Sequence, residues 1–98
     1  MVVGVLQVTL DIPGAYSLKD KRKVVRSIVE KTRHRFNAAV AEVDEQDVYN
    51  RARIGVSVVA NDRAFANSMI DKILDTIEDQ AIGRAHVLDS SLEIITVS

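Results

Sequence analysis

The apolar residues of this chain recur at a period of about two, then at about 3.6, and the alternation between these two periods decides what the chain can fold into. From Val2 to Ile12, residues Val2, Leu6, Val8, Leu10 and Ile12 fall on one face with Gly4, which is the pattern of a strand. Pro13-Gly14 ends it, because Pro removes a ladder donor and Gly permits positive φ. Ser17 then precedes a helical stripe of Leu18, Val25, Ile28, Val29, Thr32 and Phe36. Asp20, three residues after Ser17, supplies a shortened form of the capping box. The spacing predicts a helix from about Leu18 to Phe36, about 28 Å long at 1.5 Å per residue, with Asn37 as its stop.

Ala38 to Asp47 reads as a second strand, and Asp47 to Asn50 as a hairpin turn. A third strand places Ile54, Val56, Val58 and Ala60 on one face. Asn61-Asp62 offers an N-cap for a second helix with the stripe Ala66, Met69, Ile70, Ile73 and Ile77, and Gly83 is its stop. Val87 to Val97 is the last strand. The order β-α-β-β-α-β with two right-handed crossovers predicts an α+β, ferredoxin-like two-layer sandwich. Its sheet is antiparallel in the order 4-1-3-2, both helices lie on one face, and residues 1–98 form one domain.

Composition narrows the chemistry. The chain has no Cys, which excludes disulfides, thiolate catalysis and sulfur-ligated zinc and fits a reducing cytoplasm. The start, MVVGVLQVTL, lacks a basic leader, and no stretch approaches the roughly 20 apolar residues of a membrane span. The expectation is a cytoplasmic protein without a membrane partner. The glycines form no phosphate loop or dinucleotide fingerprint, His34 and His86 have no nucleophile at a recognisable spacing, and Ser90 and Ser91 belong to no elbow motif. No catalytic residue, cofactor or metal site is assigned, and the protein is not expected to be an enzyme. His34 is read as capping a helix end and His86 as starting a strand near the surface.

A two-layer sandwich leaves one sheet face bare. If even-numbered residues of the first strand face the helices, the bare face takes Val3, Val5, Gln7, Thr9 and Asp11, joined by Gly55, Ser57 and Val59. Val3, Val5, Val59, Ile95 and Val97 then form an apolar patch, and the simplest cover is a second copy in a two-fold homodimer.

Charge is segregated along the chain. Eight of the thirteen Lys and Arg residues lie between Lys19 and Arg35, although the net charge is −1. At 100° per residue, Lys19, Arg22, Lys23, Arg26 and Arg33 fall in one arc of roughly 100° beside the buried stripe. Glu30 sits in that arc, where it can pair with Arg26, Arg33 or His34, and Lys21, Lys31 and Arg35 lie elsewhere. Lys19, Arg22 and Lys23 crowd the positive end of the helix dipole, which a purely structural role does not favour. Cations along one flank suit a phosphate backbone, but the sheet lacks the aromatic platforms that would stack bases. Asp71, Asp75, Glu78 and Asp79 make the second helix acidic, so the helix layer is electrically split. Glu42, Asp44, Glu45 and Asp47 match no calcium loop; they read as edge-strand charge, with Arg51 or Arg53 as cross-strand partners.

The segment from Gly4 to Asp62, GVLQVTLDIPGAYSLKDKRKVVRSIVEKTRHRFNAAVAEVDEQDVYNRARIGVSVVAND, resembles the YlxP-like family of small bacterial proteins. SLKDKR, Ser17 to Arg22, and AEVDEQD, Ala41 to Asp47, carry the most specific part of the resemblance. The chain departs from the family at Tyr16, where members often carry His, and at Tyr49, where many carry Trp. The resemblance implies a ferredoxin-like fold and a link to translation or ribosome maturation, because family genes tend to sit beside such genes. It brings no catalytic residues. The combined expectation is a small cytoplasmic accessory protein that contacts structured RNA or a ribosomal surface through Lys19, Arg22, Lys23, Arg26 and Arg33. A protein-interaction or structural module without nucleic-acid binding is the alternative, and an enzyme or small-ligand protein with its site at a dimer seam comes third.

Overall fold

The computed structural model describes Met1–Ser98. Six elements follow one another: β1 (Val2–Asp11), α1 (Leu18–Arg35), β2 (Ala39–Asp44), β3 (Arg51–Ala60), α2 (Arg63–Ala81) and β4 (His86–Thr96). The four strands form one antiparallel sheet in the order β2-β3-β1-β4, which is the ferredoxin-like arrangement. The parity expected for β1 holds through Val8, but Thr9, expected on the bare face, is buried at 8% exposure. Val2, Leu6, Val8 and Leu10 are buried under the helices, while Val3, Val5 and Gln7 look out from the other face.

Each helix starts where its cap dictates. Ser17 Oγ accepts the Asp20 N–H at 3.1 Å, and Asp62 Oδ1 accepts the Phe65 N–H at 2.8 Å. The Asp20 carboxylate reaches the N–H of Tyr16 at 3.0 Å, one residue earlier than the Ser17 N–H of a capping box. At its far end α1 stops one residue short of expectation, with Phe36 as C-cap donating to Thr32 O. His34 does not cap the helix: Phe36 is the C-cap, and the exposed His34 lies within the last turn of α1. Gly83, at φ +81°, takes the left-handed turn after α2.

One core of 21 buried apolar residues joins β1, α1, β2, β3 and α2, and β4 packs against it through the half-buried Val87 and Ile94. Ile70 of α2 packs so closely on β1 that a Cβ at Gly4 would lie 3.1 Å from Ile70 Cγ1. Buried aliphatic area of this kind, at about 25 cal/mol per Å², is the main force holding the two layers together.

β2 is shorter than the expected Ala38 to Asp47 because the chain leaves the sheet at Glu45. There the backbone enters the left-handed region at φ 58°, and the connection to β3 runs from Glu45 to Asn50 instead of from Asp47. Just before it, the β2–β3 register shifts between Glu42 and Asp44, leaving Val43 as the bulged residue. The Val43 side chain lies over Gly55 on the open face, where an added Cβ would fall 2.6 Å from Val43 Cγ1. A Gly55→Ala variant is therefore expected to lose about 1–3 kcal/mol in urea unfolding through overpacking. Adding Val43→Ala to the same chain should return most of that loss; equal stability of the single variant and the parent would contradict the contact.

Candidate nucleic-acid interface

α1 divides its cations between the interior and the surface. Lys21 is 1% exposed, the largest fully buried side chain of the molecule. Its Nζ donates to Glu45 O at 2.9 Å and to Gln46 O at 3.2 Å. Glu42 Oε2 lies 3.0 Å from the same ammonium, as an ion pair and not an aligned hydrogen bond. The buried charge is thus matched by one carboxylate and two carbonyl dipoles, which is the condition for tolerating it. The Glu45 carbonyl also accepts from Val48 N–H at 3.1 Å, and Asp44 Oδ1 accepts the Glu45 N–H at 2.9 Å. Lys21 therefore pins the first turns of α1 to the loop after β2.

This corrects two expectations. Glu42 pairs with Lys21 across the layers and not with an arginine of β3, whereas Arg51 Nε lies 3.9 Å from Glu45 Oε2, the expected kind of pairing between this acidic cluster and β3. Sequence reasoning set Lys21 aside with the peripheral cations, yet its position three residues after Leu18 and four before Val25 lies on the buried stripe. The helical spacing held the signal.

The other cations face outward. Lys19, Arg22, Lys23 and Arg26 are exposed, and none belongs to either of the chain's two ion pairs, Lys21–Glu42 and Arg51–Glu45. Together with Lys31, Ser27 and Glu30 they line a shallow, open depression of about 500 Å³ along α1. Glu30 does not neutralise Arg26, Arg33 or His34 as expected; its carboxylate forms no ion pair. Arg84, in the turn after α2, donates from Nη1 to Ser27 Oγ at 3.0 Å and from Nε and Nη2 to Gln80 O at 3.1 and 2.7 Å, so its guanidinium is committed within the fold beside this rim. Arg33 stands apart at the other end of the helix. Its Nε donates to Val40 O at 3.0 Å, closing one backbone acceptor on the edge strand β2. Arg22, Arg26 and Arg33 share the groove between α1 and β2, so the five expected phosphate contacts form one flank of which Arg33 is partly committed.

The acidic counterpart is equally plain. Asp71, Asp75, Glu78 and Asp79 lie on α2, with no basic residue in its last turn to offset them. No group of three His, Asp or Glu side chains is arranged to hold a metal ion, and neither helix is long and apolar enough to cross a membrane.

On the opposite face the structure places Val3, Val5, Val59 and Ile95 together, with Val3 paired to Val59 on one side and to Ile95 on the other. Val97 continues the row past the end of β4, where its N–H donates to Met1 O at 2.8 Å. Val59 is 66% exposed and Ile95 40%.

Fold and surface together define a ferredoxin-like two-layer protein with one cationic helix and a bare sheet. The chain belongs to the family described as "Protein of unknown function (DUF503)", which it matches over residues 3–92. It is similar to the "Uncharacterized protein YlxP" of Bacillus subtilis (strain 168), 27% identical over 77 residues, 79% of this chain and 84% of that protein. Among solved structures it is similar to a de novo designed protein with a ferredoxin fold, at TM-score 0.59 and 16% identity, over 99% of this chain and 88% of that one. It is also similar to a dimeric ferredoxin-like protein from an uncultured marine organism, at TM-score 0.52 and 13% identity, over 100% and 99% of the two chains. A putative chlorite dismutase shares the fold at TM-score 0.59 and 13% identity, over 96% of this chain but 44% of its own length.

Removing the Lys21 ammonium leaves the Glu42 carboxylate and two loop carbonyls without their shared partner. Lys21→Ala is expected to cost roughly 3 kcal/mol or more in urea unfolding. Lys19→Ala, two residues away and exposed, should stay within about 0.5 kcal/mol. A loss under about 1 kcal/mol for Lys21→Ala would show that the tether does not hold the fold.

Proposed function

We propose that the protein is a cytoplasmic, RNA- or ribosome-associated accessory factor that grips phosphates through α1. The observation that carries this reading is the set of four exposed cations, Lys19, Arg22, Lys23 and Arg26, left unpaired along one helix in a chain of net charge −1. Three of them crowd the positive end of the helix, where a folding role alone would favour carboxylates. Bringing phosphates to them relieves that repulsion and releases counterions from the nucleic acid. Contacts of this kind position a partner without reading its sequence. The open sheet face agrees, since its outward positions hold Val, Gln, Thr and Ser where base stacking would need rings. The acidic α2 orients the approach by repelling the same polyanion.

Self-association through the bare sheet is part of the same reading, supported by the dimeric ferredoxin-like neighbour that matches nearly end to end.

The test is fluorescence anisotropy with fragments of ribosomal RNA over a salt series. Binding should weaken steeply as salt rises. Replacing Arg22, Lys23 and Arg26 together by Gln should weaken it further and flatten the log–log salt slope by about two to three. A folded triple variant with parental affinity, or no binding by the parent at low salt, would refute the assignment and leave the charge split to serve a protein partner.

A further inference from the structure

We infer that two copies pack their open sheet faces together about a two-fold axis running along β1, locked by reciprocal Arg53–Asp89 ion pairs between the copies. This rests on the self-association read above and goes beyond it by fixing the geometry.

The argument comes from register. β1 lies between β3 and β4, and the two ladders set their residues level with one another across it. A two-fold axis along β1 exchanges left for right while keeping the level, so β3 of one copy lies over β4 of the other. At the level of Val3, Val59 then meets the partner's Ile95, apolar against apolar. At the level of Gln7, the raised spot where Val43 covers Gly55 meets the partner's Ser91, a small side chain. At the level of Thr9, Arg53 meets the partner's Asp89. Arg53 is already aimed: its Nε donates to Gln7 Oε1 at 2.8 Å, which leaves both terminal nitrogens for a carboxylate. Asp89 belongs to no ion pair within its own chain.

Three of the five open-face levels match in shape, polarity and charge under one operation; of the other two, the level of Val5 sets Ser57 against the partner's Glu93, and the level of Asp11 sets Arg51 near the partner's His86. An axis across the strands does the reverse, laying the valines of one copy over Arg53 and Asp89 of the other. Face-to-face sheets keep their strands within about 30°, so these levels persist near the centre of the contact. Under this axis β3, β1 and β4 overlap the partner while β2 lies outside the contact. Three strands at about 4.8 Å spacing and about ten residues at about 3.4 Å give roughly 500 Å² per copy, the size of a weak, reversible contact. Both helix layers stay uncovered, so the dimer leaves α1 free for phosphates.

Sedimentation velocity at tens of micromolar tests this with Arg53→Asp, Asp89→Arg and their equimolar mixture. The parent should sediment as a dimer. Each variant alone faces like charges at both contacts and should become monomeric. In the mixture, pairing one variant with the other sets a carboxylate against a guanidinium at both contacts again, so the dimer should return. The mixture also reports on folding, because an unfolded variant cannot restore a dimer. A monomeric parent would overturn self-association itself. A dimeric parent whose single variants remain dimeric would overturn the geometry alone and move the contact elsewhere, for instance to the long exposed edge of β4. Variants that lose the dimer and do not recover it when mixed would overturn the Arg53–Asp89 pairing.

Discussion

The buried ammonium of Lys21 is the constraint on which the two surfaces of this protein depend. A charge that is 1% exposed must be matched on the spot, and here the match comes from a strand and a loop, not from the helix that carries it. That requirement draws Glu45 and Gln46 toward α1 and ends β2 at Asp44. It sets the rotation of α1 about its own axis as well. With Lys21 turned inward beside Val25 and Ile28, Arg22, Lys23 and Arg26 have no direction left but outward. One interior cation thus decides where the exterior ones point.

Most of the fold was legible in the residues. Alternation in β1 and β3, the stripe of α2 and the caps at Ser17 and Asp62 each match what the structure shows, because local periodicity and capping obey the same physics in a peptide and in a protein. The strand order followed from right-handed crossovers. What escaped was non-local. Val43 lies on Gly55 because a bulge sets it there, and a bulge has no period of its own to recognise. Arg33 turns to the edge carbonyl of Val40, a partner seven residues away that exists only once β2 is in place. Lys21 was the exception: helical spacing marked it as interior, but residue type suggested a surface cation.

The candidate interface was legible in the same uneven way. Helical geometry placed Lys19, Arg22, Lys23 and Arg26 on one flank, and the structure keeps them there without partners. It could not say which cations the fold would use for itself. The structure answers by committing Lys21, Arg84 and part of Arg33 internally, with Arg84 standing beside the rim of the patch. The two faces also divide the work. The helix layer carries the charge split, and the sheet carries the apolar row with Arg53 and Asp89 level across β1.

The central claim is that α1, and not the sheet, meets the nucleic acid. Amide chemical-shift mapping by NMR tests it most directly, with a structured ribosomal RNA fragment titrated into the isotope-labelled protein at low salt. The account predicts shifts concentrated on Lys19 to Arg26 and on the turn around Arg84, with Val3, Val5 and Val59 unmoved. Shifts centred on the open sheet or on α2, or no shifts at all, would contradict it.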